Sequence, residues 1–101
     1  MEAQQLKGDT VKAGCCPIEQ ATDRERVELQ GSLRTVTLRP RGGVPALEAE
    51  LYDGSGVITL IWLGRRRIAG IEPGRRLQVN GRIGAHDGMR VMFNPRYELG
   101  S

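Results

Sequence analysis

The chain has 101 residues, 39% of them hydrophobic and 27% charged, with a net charge of +3. That length fits one domain with a modest core, and no stretch is apolar for long enough to form a transmembrane helix. The first fifteen residues lack the apolar centre of a secretory signal, so a cytoplasmic location with no membrane partner is expected.

Residues 1–24 read as a flexible N-terminal segment, ahead of one domain spanning 25–98. Residues 1–14 are polar and without period, and Pro17 to Arg24 forms a short helix or turn leading into the domain. Cys15 and Cys16 are adjacent, a poor geometry for a disulfide between them, and His86 is the only histidine. Free thiols are therefore expected, with no metal site and no cofactor.

From Arg26 a two-residue period begins. Val27, Leu29, Gly31 and Leu33 alternate with Glu28, Gln30, Ser32 and Arg34, which predicts a strand with one buried face. The pattern changes phase at Thr35 and continues through Val36 and Leu38. A long strand with an internal glycine and a phase slip predicts strong curvature. Pro40-Arg41-Gly42-Gly43 then turns the chain, and Leu47, Ala49 and Leu51 mark a second strand. Asp53-Gly54-Ser55-Gly56 is a hairpin turn leading into a third strand, Val57 to Leu63. Arg65 to Ile71 reads as a short helical turn ended by Pro73-Gly74. Leu77, Val79, Gly81 and Ile83 define a fourth strand and Met89 to Phe93 a fifth, with Asn94-Pro95 breaking the pattern.

Three antiparallel strands, a short helical connection and a closing hairpin predict an all-β fold. The architecture expected is a five-stranded Greek-key OB-fold barrel with a short helical turn between strands 3 and 4. An SH3-like barrel is the alternative.

The segment Asp53-Gly54-Ser55-Gly56, the apolar strand to Trp62, Pro73-Gly74 and Val79-Asn80-Gly81-Arg82 together resemble nucleic-acid-binding OB domains. Within that class the chain is similar to the wedge domain of the RecG branch-migration helicase over roughly residues 26–98. Met92-Phe93-Asn94-Pro95-Arg96-Tyr97 loosely matches the ending of that domain. In length and arginine usage the chain also looks like small stand-alone OB proteins of high-GC Gram-positive bacteria. The resemblance implies a domain that binds nucleic acid, without the helicase motifs.

In an OB-fold the ligand lies on strands 2 and 3, between the loop joining strands 1 and 2 and the loop joining strands 4 and 5. Here those loops are 39–44 and 84–88. The lysines, Lys7 and Lys12, lie near the N-terminus, and every basic residue from Arg24 onward is arginine. Arginine stays charged and offers a planar fork to phosphate. The candidate nucleic-acid-binding residues are Arg34, Arg39, Arg41, Arg65, Arg66, Arg67, Arg82 and Arg90, with Tyr52 as the stacking platform. Alternation places Trp62 in the core with Ile58 and Leu60, and Phe93 is assigned to the core as well; Tyr97 fits either side.

Two features oppose simple single-strand binding. Glu48 and Glu50 share the proposed face and repel phosphate, and Val57, Ile61 and Leu63 form an outward apolar stripe. The alternative reading is therefore a protein-interaction module or homodimer using strand 3. No catalytic residues are expected, since His86 and Asp87 in a glycine turn supply no nucleophile–base pair. The expected function is low-specificity, non-catalytic binding of single-stranded or branched DNA, or of RNA.

Overall fold

The computed structural model describes residues 16–21, 25–86 and 88–100. Most of the expected flexible segment, with Cys15, and also Asp87, lies outside them.

Strand β1 (Arg26–Leu38) organises the barrel because it has two partners. Its first half runs antiparallel to β4 (Arg76–His86), from Arg26 opposite Arg82 to Ser32 opposite Arg76. Its second half runs antiparallel to β2 (Ala46–Tyr52), from Ser32 opposite Tyr52 to Leu38 opposite Leu47. The exchange happens at Gly31, where any Cβ would collide with the Tyr52 carbonyl. Only glycine lets the two strands approach so closely. The register slips between Leu33 and Thr35, leaving Arg34 as the extra residue of a bulge. This is the phase change visible in the sequence.

β2 forms a hairpin with β3 (Val57–Leu63), β3 runs parallel to β5 (Met89–Phe93), and β5 is antiparallel to β4. With the β1–β4 pairing the ring closes in the order β1-β2-β3-β5-β4, a five-stranded OB-like barrel. The interior holds Leu29, Leu33, Leu51, Ile58, Leu60, Val79, Ile83 and Met92, none more than 2% exposed. Each such side chain stabilises the fold by about 1.5–3 kcal/mol relative to exposure. Trp62 belongs to this core, and its indole Nε1 donates to the Pro95 carbonyl at 3.1 Å.

Three features depart from the sequence pattern. First, between β3 and β4 the chain makes reverse turns and no helical turn, closed by Ile71 N–H to Ile68 O (3.0 Å) and Arg75 N–H to Glu72 O (3.1 Å). Gly64, Gly70 and Gly74 all have positive φ, which interrupts any helix, while Ile68 and Ile71 drop into the core. Second, Asn94-Pro95 bends the chain without ending the sheet: Asn94 takes φ 51° and β6 (Arg96–Leu99) resumes on the same edge of β4. Tyr97 on β6 meets Trp62 edge-on, with centroids 5.7 Å apart. Third, residues 16–21 form the short turn expected ahead of the domain but pack it onto the barrel.

That N-terminal turn, a 3-10 helix over Ile18–Gln20, inserts Ile18 into the main core with no exposed surface. Ile18 N–H donates to Asp53 Oδ2 (2.9 Å) and Glu19 N–H to Ser55 Oγ (3.1 Å), tying the turn to the β2–β3 hairpin. Arg90 holds it from the other side, its guanidinium donating to the carbonyls of Ile18 (2.7 Å) and Ala21 (2.8 Å). The turn contributes backbone groups to each of these hydrogen bonds, and their side-chain partners Asp53, Ser55 and Arg90 lie far away in sequence, which is why the local pattern did not announce the clasp.

Candidate nucleic-acid interface

Opposed residues in the β2–β3 ladder share a face. The outer wall therefore carries Tyr52 beside Val57, Glu50 beside Thr59, Glu48 beside Ile61, and Ala46 beside Leu63. The parallel β3–β5 pairing extends it with Val91 beside Thr59 and Phe93 beside Ile61. From Tyr52 to Ala46 the wall is about 20 Å long, at ~3.4 Å per residue.

At one end stands Tyr52, 43% exposed. The bulge at Arg34 aims its guanidinium over this ring, with Cζ 5.5 Å from the centroid. The same guanidinium lies 3.6 Å from Glu50 Oε1. At the other end the loop between β1 and β2 closes as a two-residue hairpin turn, Arg41 and Val44 exchanging both backbone hydrogen bonds. Gly42 and Gly43 both have positive φ, as such a turn requires. The loop is thus a built hairpin tip. Glu48 binds both of its arginines, Arg41 Nη2 at 3.3 Å and Arg39 Nε at 3.7 Å.

Gly64 N–H donates to the Pro45 carbonyl at 2.7 Å, so the start of the β3–β4 connection abuts this hairpin. Arg65, Arg66 and Arg67 therefore adjoin Arg39 and Arg41 at one end of the wall. All three are exposed, and they make no hydrogen bond or ion pair with any described residue. The wall thus has paired arginines over its length and unpaired ones at its end.

Two candidates fall elsewhere. Arg82 sits opposite Arg26 on the β1–β4 side of the ring. Arg90 is engaged elsewhere: its guanidinium is held by two carbonyls of the N-terminal turn, because its position two before Met92 turns it toward the barrel's interior side. Phe93 is a correction, since it is 43% exposed on the wall and not in the core. The sequence offered a signal in the alternation, as Met92 points inward and Phe93 must then point out. The apolar stripe is also altered: Ile61 is fully buried with Ala46 and Val91, while Leu63 remains 40% exposed.

Two ionisable groups near the clasp are shifted. Burial pushes the Asp53 carboxyl up, but hydrogen bonds from Ile18 N–H, the Ser55 hydroxyl, Ser55 N–H and Gly56 N–H outweigh it and hold the group below its ordinary value. Burial, followed by the charges of Asp53 and Glu25, pushes the Cys16 thiol up against the opposing effect of Arg90. Among the described residues, no group of three or more His, Cys, Asp or Glu is placed to hold a metal. No helix there is long and apolar enough to cross a membrane.

No protein-family profile and no curated protein matches the chain. Solved structures do. A structure of RecG bound to a three-way DNA junction superposes with a TM-score of 0.69 at 19% identity, over 85% of this chain and 12% of that one. A second, described as "Structural mimicry for functional antagonism", gives a TM-score of 0.64 at 10% identity, over 83% of this chain and 44% of that one. At these identities the likeness is one of fold. The chain spans only a small part of RecG and less than half of the second.

Proposed function

We propose that this barrel binds nucleic acid without catalysis, taking single-stranded or branched DNA, or RNA, along the β2–β3 wall. The observation that carries the reading is the cluster Arg65–Arg66–Arg67, without a partner among the described residues, beside the Arg39–Arg41 hairpin and on the same wall as exposed Tyr52 and Phe93. Free guanidinium groups release counterions when they meet phosphates, and exposed aromatics stack on bases of any identity. Ala46, Thr59, Ile61 and Val91 are covered within the wall, so the strand would lie over its exposed groups, Tyr52, Phe93 and the arginines, which span about 20 Å, enough for a few nucleotides. The likeness in fold to a RecG structure bound to a DNA junction supports the same direction.

The wall carboxylates temper this reading without reversing it. The Arg34–Glu50 pair is exposed and worth only ~0–1 kcal/mol, so a phosphate that forms a bidentate bond to Arg34 can displace Glu50; Arg41 and Glu48 are partly buried together and stay paired. Specificity is low, because the wall offers stacking and phosphate contacts but few groups to read base edges.

Leu63 and Phe93, both exposed beside buried Ile61, favour a protein partner or second copy as the other reading. Titration with labelled single strand, duplex, fork and RNA of equal length separates the two. Salt-sensitive binding to at least one supports the proposal. No binding at low salt, together with a concentration-dependent dimer in sedimentation, refutes it.

A further inference from the structure

Where β1 passes from β4 to β2, the crossing leaves a hollow of about 210 Å³ on the outer surface. Tyr52 lines one side, and Gln30 and Ser32 lie along β1 beside it. Gly31 and Gly54 contribute no side chains, and Arg76 stands on the β4 side. Pockets for drug-sized ligands run to roughly 300–1,000 Å³. A hollow this small suits one planar ring system and no more.

The chemistry of the lining narrows the ligand. Tyr52 brings an aromatic ring to the edge of the hollow, and Arg34, which is not part of the lining, lies over that ring and beside Glu50. The Ser32 hydroxyl can both donate and accept, and it has no partner among the described residues. The Arg76 guanidinium is exposed and likewise unpaired among them. Asp53 also borders the hollow, but both its oxygens are occupied, Oδ1 by Ser55 and Gly56 and Oδ2 by Ile18 N–H. An aromatic wall, a two-way hydrogen-bonding group and an unpaired cation at one edge match a base joined to a phosphate.

We propose that this hollow is a nucleotide pocket, which receives one base of a bound strand against Tyr52 and the adjoining phosphate at Arg76. The proposal rests on the nucleic-acid reading above and adds to it a place where the strand leaves the wall and turns toward β4. Ser32 accepts or donates as the base requires, so the pocket distinguishes a base from its absence and not one base from another.

Amide shifts of the full chain titrated with adenosine monophosphate, adenosine and ribose 5-phosphate provide the test. Adenosine monophosphate is expected to move the Gly31, Ser32, Tyr52 and Gly54 amides saturably at millimolar concentration. Ribose 5-phosphate should bind roughly tenfold more weakly, because the stacking contribution is missing. Tyr52→Ala should remove the response and Tyr52→Phe retain it; Arg76→Ala should weaken the monophosphate but not adenosine. An equal response to ribose 5-phosphate, or shifts confined to residues 64–67, overturns the pocket. If the monophosphate moves none of these amides while a labelled strand still binds, the pocket is wrong and the nucleic-acid reading stands. If neither binds, both fail.

Discussion

Arginine serves two purposes in this barrel, and Arg90 and the Arg65–Arg67 cluster show the contrast. Arg90 is partly buried and spends its guanidinium on two backbone carbonyls of the N-terminal turn. Arg65, Arg66 and Arg67 stand in solvent with no partner among the described residues. The residue type is the same, but the first use fixes the fold and the second leaves charge available to a ligand. Arg34, Arg39 and Arg41 fall between, each already beside a carboxylate. Whether an arginine is functional here depends on what else its guanidinium already holds.

Breaking the clasp should cost stability and spare binding. Ile18→Ala removes a fully buried side chain and is expected to lower unfolding free energy by about 2–5 kcal/mol in denaturant titrations. Arg90→Ala strands two carbonyls and should cost about 1–3 kcal/mol. Affinity for a labelled strand, measured where either variant is folded, should be unchanged; a loss with Arg90→Ala would return that residue to the interface. The opposite profile is expected for the triple Arg65→Ala, Arg66→Ala, Arg67→Ala variant. Low-salt affinity should fall roughly tenfold or more, with the thermal midpoint nearly unmoved.

Asp53 sharpens the comparison through pH. Its folded pKa lies below the ordinary 3.8, so its contribution is complete above the unfolded value and is lost as pH falls through the folded one. Asp53→Asn should therefore be less stable than wild type by about 1 kcal/mol at neutral pH. The gap should close below roughly pH 4, as read from unfolding at a series of pH values. The smallest effect belongs to the wall: Glu48→Gln keeps an acceptor for Arg41 but removes a charge that repels phosphate, and should raise strand affinity a few-fold.

Much of the barrel was legible because strand alternation is a local signal. The edges of β3, the phase change near Thr35, the inward Trp62 and the outward Tyr52 all follow from it. What escaped depends on pairing between distant segments. The parallel β3–β5 register covers Ile61 with Val91 and brings Phe93 onto the wall. β6 forms beyond a proline because β4 still offers it an edge. The clasp is built from backbone groups of Ile18, Glu19 and Ala21, which carry no side-chain signature. Among the candidate site residues, sequence could locate the arginines but could not tell which were already engaged.

The most direct test of the account is the salt dependence of strand binding by wild type and the triple arginine variant. The wild-type affinity should fall steeply as salt rises. The log–log slope should become shallower by about 2 in the variant, three phosphate contacts at ~0.7 each for a single strand. Equal slopes for the two proteins, or no binding by wild type at low salt, would contradict the assignment of this surface to nucleic acid.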